Sequence, residues 1–317
     1  MSSLIYLHIA GKLTQYGVLL TVITNTLVTH LTFSGVTRIS LAYKRLISCQ
    51  AILGILLSLT ELLIHPFLHS FNASYIFFSV SFATQELMPL GSLLLALYSL
   101  IYMNIICSLA LQFIYRYFVV MDPKKLKLFH GWRTITWMSY ILILMAIWIL
   151  SLLKNLPDEF SREYLKEEIA LNYDQDISYI PSYQFIVYDK NGTLRFNTLL
   201  GVFGFSSVIL IQYVIIIFCG VHIHLKIQEI VNTTSPNSHR LHRQLFRTLV
   251  LQITVPSFFY NSPVLFLYII AFLDMKCSIP SGVIICVISF YPAIDSFILI
   301  WMVSEYNVAM RSELDES

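Results

Sequence analysis

Long runs of apolar residues, each bounded by aromatic or basic positions, dominate the pattern of this chain. The clearest run covers residues 88–114, which are 27 residues without an acid, a base or a histidine. As a helix it would be roughly 40 Å long, more than the roughly 30 Å apolar core of a bilayer. Tyr115, Arg116 and Tyr117 end the run, and lysines follow shortly after them. This sequence is typical of the cytoplasmic end of a spanning helix, so the helix runs from outside to inside.

Six further apolar runs of about 20 residues have the same character. Backbone polar groups in lipid need partners within their own segment, so connected spans of this kind are helical. The seven predicted spans cover residues 13–32, 46–64, 88–114, 135–153, 196–221, 248–273 and 277–303. The predicted fold class is all-α, a single seven-transmembrane helix bundle over residues 1–317. Residues 154–195 form a long predicted outer loop, and residues 304–317 form a short cytoplasmic tail.

Composition and charge agree with a membrane protein of defined orientation. Charged residues make up only 12% of the chain, about half the fraction of an ordinary soluble domain. The net charge of +2 is too small to indicate a nucleic-acid partner. In the short loops, 12 basic residues lie on one side and two on the other. The basic side faces the cytoplasm, so we expect the N-terminus outside, as a short external tail rather than a removed signal peptide.

The outer segments carry glycosylation sequons but no cysteines for a disulfide. Asn72 and Asn191 begin sequons in predicted external loops, whereas the sequon at Asn232 falls inside and should be silent. Neither residues 67–106 nor residues 154–195 contain a cysteine. The long outer loop must therefore be held in place by something other than a disulfide to the third span.

The sequence offers little for catalysis or metal binding. His65 and His69 have helical spacing, but Pro66 between them marks a helix end. The other close histidine pairs lie on the opposite side of the membrane, and the five cysteines lack metal-ligand spacing. No nucleotide-binding loop or nucleophile elbow is present. We therefore expect no enzyme activity, no metal and no cofactor.

Several polar residues inside the spans are candidates for function. Arg116 is either a snorkelling interfacial arginine or a switch residue that faces a cytoplasmic partner. Asp295 is a functional candidate because a carboxyl at this depth is costly, although it could simply bond Asn25 of the first span. Pro292 and Pro256 can kink the seventh and sixth spans. Glu61, on the outer half of the second span, either faces a ligand cavity or pairs locally.

Three stretches together resemble nematode-type serpentine chemoreceptors, from the superfamily that contains the Str, Srd and Srh branches. They are FIYRYFVV at 113–120, LFRTLVLQITVP at 245–256 and FYPAIDSFILIWMVSEYNVAM at 290–310. The resemblance extends from the first span to Met310. Two positions depart from the family pattern: Ser296 stands where the family usually has Pro, and Asn307 stands where it usually has Arg.

The resemblance implies a G-protein-coupled receptor of sensory neurons, in the plasma membrane of their cilia. Its partners would be an odorant or pheromone, a heterotrimeric G protein and the lipid bilayer, with anionic lipid as an alternative partner of the basic inner loops. Carried over position by position, the activation switch would comprise Arg116, Gln252, Pro256, Pro292 and Asp295. The residues expected to contact ligand, with helix packing as the open alternative, are Glu61, Tyr98, Phe259, Tyr260 and Asn261.

Two other classes of function stay open at this point. A seven-helix ligand-gated channel subunit would have its N-terminus inside, which opposes the orientation predicted from charge. A small-molecule transporter usually contains internal repeats, and none is visible in this sequence.

Overall fold

The computed structural model describes the backbone of residues 2–82, 85–229, 236–280 and 282–316. The side chains are described at residue 9, over residues 11–82, 85–226, 240–259, 261–279 and 288–312, and at residue 315. The side chain of Tyr260, the cysteine at 286 and the sequon at Asn232 therefore lie outside the described residues.

Ten α-helices account for most of the described chain. The first five are α1 Ser2–Ser34, α2 Leu41–Ile64, α3 Met88–Met121, α4 Ile135–Leu153 and α5 Glu159–Tyr173. The others are α6 Phe196–Glu229, α7 Pro236–Pro256, α8 Ser262–Phe272, α9 Gly282–Met302 and α10 Ser304–Glu316. Helix α1 begins at Ser2, so the predicted external tail is a continuation of the first helix rather than an extended segment.

Six segments of the described residues are long and apolar enough to cross a membrane, and residues 288–312 of α9 and α10 meet the same test as a pair of helices bent by 90°. The first six correspond to α1, α2, α3, α4, α6, and α7 together with α8. Helix α9 ends at Met302, where the chain turns by 90° into α10. The predicted cytoplasmic tail is thus helical and lies across the inner end of the bundle.

The sixth span is interrupted by a π-helical segment, Ser257–Asn261, between α7 and α8. A proline flanks it on each side, Pro256 at the end of α7 and Pro263 in the first turn of α8. Each proline lacks a backbone N–H and therefore removes one helical hydrogen bond. The wider turn of a π-helix changes which side chains face inward, and such turns are frequent at functional sites.

A four-stranded antiparallel sheet covers the outer end of the bundle. Its strands are β1 Pro66–Phe71, β2 Ser74–Ser79, β3 Ser182–Ile186 and β4 Ser278–Pro280, in the order β3-β2-β1-β4. The first two strands come from the first outer loop, β3 comes from the second and β4 from the third. The predicted all-α bundle thus carries a sheet that joins all three outer loops.

Helix α5 packs on this sheet and closes a small apolar core outside the membrane. The buried side chains of this core are Phe67, Ile76, Phe78, Leu165, Ile169, Tyr173, Ile177, Ile180 and Ile186. The described cysteines are all free. The long outer loop is therefore held by strand pairing and apolar burial. These interactions take the place of the disulfide that the sequence rules out.

Small residues let the helices approach closely inside the membrane, as is usual for spanning bundles. A Cβ atom added to Gly54 of α2 would lie 2.8 Å from the Cβ of Pro292 and 3.3 Å from Oδ1 of Asn25. Gly54 therefore sits at the point where α1, α2 and α9 meet.

Candidate functional site

A cavity of about 590 Å³ lies beneath the outer sheet, between α3, α4, α6 and α8. Its apolar and aromatic lining includes Leu68, Tyr75, Phe77, Tyr98, Tyr102, Trp148, Leu152, Phe185, Phe205, Ile209, Leu210, Tyr213, Val264, Leu265, Tyr268 and Ile288. The remaining described lining residues are Ser99, Ser206, Ser257, Asn261 and Ser262, so none is charged. The size and the lining are typical of a site for a small organic molecule.

A short chain of hydrogen bonds forms the polar part of the cavity wall. The Tyr102 hydroxyl donates to Oδ1 of Asn261 at 3.2 Å, and Nδ2 of Asn261 donates to the Tyr213 hydroxyl at 2.9 Å. The Tyr213 hydroxyl also lies 2.5 Å from the Ser257 hydroxyl. Ser257 and Asn261 are the first and last residues of the π-helical segment. The polar groups that a ligand could contact are therefore on the interrupted part of the sixth span.

Aromatic side chains from the sheet form the roof of the cavity. Tyr75 of β2 stacks on Phe185 of β3 with ring centroids 4.2 Å apart, and it also contacts Tyr268 of α8 at 5.1 Å. On the other side, the rings of Trp148 and Phe205 meet edge to face at 4.7 Å. Strand pairing in the sheet thus fixes the outer wall of the cavity.

The five residues expected to contact ligand differ in where the structure places them. Tyr98 and Asn261 line the cavity. Phe259 is 53% exposed and is absent from the cavity lining, so it faces away from the cavity. Glu61 is buried behind Tyr98, where its carboxylate accepts hydrogen bonds from the hydroxyls of Tyr98 at 3.5 Å and Thr14 at 3.2 Å. Ser289 of α9 donates to the same carboxylate, so Glu61 pairs locally.

Reasoning from the sequence found only Tyr98 and Asn261 among the lining residues, and it missed the three other members of the hydrogen-bonded chain, Tyr102, Tyr213 and Ser257. Tyr102 follows Tyr98 by one helical turn of α3, so the spacing of these two tyrosines was a usable signal. Ser257 follows Pro256 directly, but its inward direction depends on the π-helical segment. No signal in the sequence distinguishes Tyr213 from other tyrosines of the fifth span.

At the cytoplasmic end of α3, Arg116 is buried and stacks on an aromatic ring. Its guanidinium carbon lies 3.9 Å from the centroid of the Tyr43 ring in α2. Among the described residues, no carboxylate lies within 4.0 Å of Arg116, and its Nε has no hydrogen-bond partner. A cavity of about 480 Å³ opens beside it, lined also by Arg38, His242 and Leu245. Arg116 therefore borders an inner groove between α2, α3 and α7.

The structure brings Gln252 and Asp295 together and separates Asp295 from Asn25. The Gln252 side-chain amide donates to the backbone carbonyl of Asp295 at 3.3 Å. The Asp295 side chain is buried, and its Oδ1 has no hydrogen-bond partner among the described residues. The hydrogen bond from Gln252 links α7 to α9 at the depth of Asp295.

Asn25 contacts the neighbours of Asp295 instead, so the alternative of an Asn25–Asp295 bond is wrong. Its Nδ2 donates to the backbone carbonyl of Pro292 in α9 at 3.1 Å. Its Oδ1 accepts from the Ser296 hydroxyl at 2.9 Å. The departure from the family pattern at Ser296 thus supplies a hydrogen bond between α9 and α1.

The other departure from the family pattern, Asn307, stabilises the bend into α10. Its Nδ2 donates to the carbonyls of Ile300 at 2.9 Å and Trp301 at 3.1 Å, near the end of α9. The last carbonyls of a helix lack partners within the helix. Asn307 therefore supplies part of the cap that lets α9 end at Met302.

Outside the membrane, His69 of β1 is fully buried against α5. Its Nε2 lies 2.9 Å from Oε1 of Glu168, and its Nδ1 lies 3.0 Å from the Tyr173 hydroxyl. Burial holds the pKa of His69 below its ordinary value of 6.5, although Glu168 acts in the opposite direction. His65 ends α2 in a left-handed conformation, so the two histidines do not share a helical face. No group of three or more metal-ligating side chains occurs among the described residues.

The arrangement of these elements agrees with the result of comparison with known protein families. The family model described as "Serpentine type 7TM GPCR chemoreceptor Str" matches residues 11–311. The chain belongs to this family. Str-family membership confirms the seven-transmembrane architecture and the resemblance on which the sequence-based prediction of function depended.

Individual relatives are similar over most of the chain. G-protein coupled receptor str-33 of Caenorhabditis elegans is 33% identical over 309 residues, which cover 95% of this chain and 90% of that protein. Serpentine receptor class r-10 of Caenorhabditis briggsae is 25% identical over 84% of this chain and 79% of its own length. G-protein coupled receptor str-217 of Caenorhabditis elegans is 30% identical over 62% of this chain and 58% of its own length.

The chain is therefore a multi-pass membrane protein and a chemosensory receptor of the G-protein-coupled type. The channel and transporter alternatives are not favoured, since the matched family and the named relatives are receptors. Membership of this receptor class implies a ligand and coupling to a G protein in a membrane.

Proposed function

We propose that the cavity beneath the sheet binds a small, uncharged and mostly apolar molecule, an odorant or a pheromone. The observation that carries this proposal is the combination of an aromatic lining without charge and one chain of hydroxyl and amide groups. A charged ligand would lose its hydration without gaining a counter-ion among the described lining residues. A ligand with one hydrogen-bonding group could replace a bond in the Tyr102–Asn261–Tyr213 chain.

We propose further that ligand binding acts through the π-helical segment. Ser257 and Asn261 face the cavity from this segment, and α7 continues from it toward the cytoplasm. A ligand that binds more tightly when the inner end of α7 is displaced shifts the population toward that state. Pro256 lies at the junction and Pro292 in the facing helix, where missing hydrogen bonds permit bending.

The inner part of the proposed switch comprises Gln252, Asp295 and Arg116. Gln252 joins α7 to α9 through the backbone carbonyl of Asp295, so displacement of α7 would break this hydrogen bond. Arg116 borders the inner groove and would contact the G protein once the groove widens. By the family resemblance, we place the receptor in the plasma membrane of sensory cilia.

The ligand site is tested with a cell-based G-protein activation assay and a panel of uncharged volatile compounds. Asn261→Leu should raise the half-maximal concentration of an active compound about tenfold, because it removes a hydrogen bond and leaves buried partners unsatisfied. Phe259→Leu is the matched control, since it alters the lipid-facing side of the same segment and should leave the response unchanged. Equal responses of wild type and Asn261→Leu would contradict the proposed site.

An N-terminal epitope, labelled on intact cells, tests the orientation and the surface location in the same cultures. Labelling without permeabilisation is expected for both variants. Labelling only after permeabilisation would contradict the plasma-membrane receptor with an external N-terminus.

A further inference from the structure

A second cytoplasmic cavity lies outside the inner groove that contains Arg116. It has a volume of about 370 Å³ and lies between α7, α9 and α10. Its lining residues are Arg240, Gln244, Trp301, Met302, Ser304, Asn307, Val308 and Arg311. On α7, Leu241 and Leu245 face the inner groove, whereas Arg240 and Gln244 face this second cavity. We call it the α10 cavity, and it is separate from the surface that the proposed function uses.

The α10 cavity contains two arginines without a compensating acid among its described lining residues. Neither Arg240 nor Arg311 has a carboxylate within 4.0 Å among the described residues. The acid in the first turn of α10, Glu305, instead pairs with Arg38 at 3.7 Å. The described lining of the α10 cavity therefore carries an excess positive charge.

Polar groups between the two arginines are held in place by the junction of α7 and α10. The Gln244 Oε1 accepts hydrogen bonds from the backbone N–H of Ser304 at 3.3 Å and from its hydroxyl at 3.0 Å. These bonds fix the first turn of α10 against α7. Because these bonds hold α7 and α10 together, they also fix the distance between Arg240 on α7 and Arg311 on α10.

The exposed side chains at this cavity indicate that it faces the lipid. Trp301 is 64% exposed at the end of α9, and Val308 is 67% exposed on α10. Tryptophan is enriched at the membrane interface, and α10 leaves α9 at 90°, in the direction of the membrane plane. The two arginines therefore lie at the depth of the inner headgroups, with apolar surface beside them for acyl chains.

We propose that the α10 cavity binds the phosphate group of an anionic phospholipid of the inner leaflet. Arg240 and Arg311 would donate charge-assisted hydrogen bonds to the phosphate oxygens, and Trp301 and Val308 would contact the glycerol and upper acyl chain. Basic pockets between spanning helices on the cytoplasmic side are suited to such headgroups. A cytoplasmic protein partner fits less well, because the cavity opens beside surface that the bilayer covers.

The test is native mass spectrometry of the full-length receptor from nanodiscs of phosphatidylcholine with 5% phosphatidylinositol 4,5-bisphosphate. Wild type should retain the anionic lipid, and Arg240→Gln/Arg311→Gln should bind it roughly thirtyfold more weakly, since each basic side chain near an anionic surface accounts for about fivefold. Lys127→Gln/Arg133→Gln is the charge-matched control, because both residues are exposed in the cytoplasmic connection between α3 and α4. This control should retain the lipid as wild type does.

Several outcomes would overturn the proposal. Equal retention by wild type and the Arg240→Gln/Arg311→Gln variant would show that the α10 cavity does not hold the lipid. An equal loss in the control would assign binding to net charge rather than to the cavity. Displacement by soluble inositol trisphosphate at the same affinity would indicate a free phosphate ligand instead of a membrane lipid. The altered side chains are exposed, so a thermal unfolding curve for each variant should match that of wild type.

Discussion

The guanidinium of Arg116 lies over the ring of Tyr43, 3.9 Å from its centroid, and joins the cytoplasmic ends of α3 and α2. A second contact at the same level links Tyr115 of α3 with Ser40 at the start of α2 through their hydroxyls. No described carboxylate pairs with Arg116, so the aromatic ring is its main electrostatic partner. Such cation–π contacts contribute from about 0.5 kcal/mol to about 2 kcal/mol when desolvated. We infer that Tyr43 stabilises the position of Arg116 in which the inner groove is narrow.

Replacement of Tyr43 should raise signalling in the absence of ligand. The Tyr43→Leu variant loses the cation–π contact, which favours release of Arg116 and should increase basal G-protein activation about threefold to tenfold. Basal activation is measured by resonance energy transfer between G-protein subunits, normalised to receptor at the cell surface. The Tyr43→Phe variant keeps the ring and should behave as wild type. Equal basal activity of the Leu and Phe variants would refute the role of the ring.

Enlargement of Gly54 should destabilise the bundle at the junction of α1, α2 and α9. In the Gly54→Val variant the new side chain would overlap Pro292, at a site where the helix backbones are already close. Overpacking of this kind costs about 1–3 kcal/mol. The temperature of half-loss of the monodisperse detergent-solubilised receptor should therefore fall.

A second glycine of the bundle supplies the control for this experiment. A Cβ atom added to Gly220 of α6 would meet only the ring of Phe113, at 3.6 Å, which is an ordinary contact distance. Gly220→Ala should leave the temperature of half-loss unchanged. If both variants lose the same stability, the cause is the replacement of a helix glycine in general and not the close approach of α1, α2 and α9 at Gly54.

Only one of the two external sequons is suitably placed for glycosylation in the folded receptor. Asn72 lies in the β1–β2 turn with φ of +48°, its N–H donates to Cys277, and the Ser74 hydroxyl is buried against the carbonyl of Phe71. Asn191 is exposed in the outer loop. Asn191→Gln should abolish the glycosidase-sensitive mass shift, whereas Asn72→Gln should leave it in place. A shift that persists in Asn191→Gln would mean that Asn72 is modified before the sheet forms.

Acid should loosen the outer sheet through His69. Burial lowers the pKa of His69 below 6.5, so the folded sheet favours the neutral imidazole. The stability of the sheet is therefore complete above about pH 6.5 and is lost as the pH falls through the lowered pKa. Hydrogen exchange of β1 and β2, corrected for intrinsic rates, should be faster at pH 5.5 than at pH 7.0.

The variant His69→Gln tests whether this histidine is responsible. The amide cannot titrate, so the corrected exchange rates at the two pH values should agree. Asp158 and Asp189 of the outer loop should not contribute to this pH dependence. Although burial acts to raise the pKa of Asp158, hydrogen bonds from Ser161 hold it below 3.8, and hydrogen bonds from Thr193 do the same for Asp189. A pH effect that persists in His69→Gln would contradict the assignment.

The positions of the spans could be predicted because each helix that crosses the bilayer needs about 20 consecutive, mostly apolar residues. Helix α4 coincides with the predicted residues 135–153. Helix α3 continues seven residues beyond the predicted end at 114, because hydropathy locates the membrane boundary and not the last helical hydrogen bond. The sheet was not predicted, since its strands are short and two of its three strand pairings join segments more than a hundred residues apart in sequence.

The candidate site was predictable only in part, for a geometrical reason. Tyr98 and Asn261 face the cavity as expected from their place on the outer halves of their helices. Phe259 was also expected there, from its place on the outer half of the sixth span. The π-helical segment adds a residue to the turn and thereby directs Ser257 inward and Phe259 outward. No propensity in the sequence specifies that insertion.

The pairing of β4 with β1 also sets an order for the biosynthesis of the receptor. Strand β1 pairs on one edge with β2, its neighbour in the chain, but its other edge pairs with Ser278–Pro280, near the end of the sequence. Until the sixth span has been inserted and this segment has been translocated, the outer edge of β1 remains unpaired and open to other strands. A nascent receptor that stalls before residue 278 thus exposes the unpaired edge of β1 to the lumen, where other strands can pair with it. In the completed chain, β4 covers this edge.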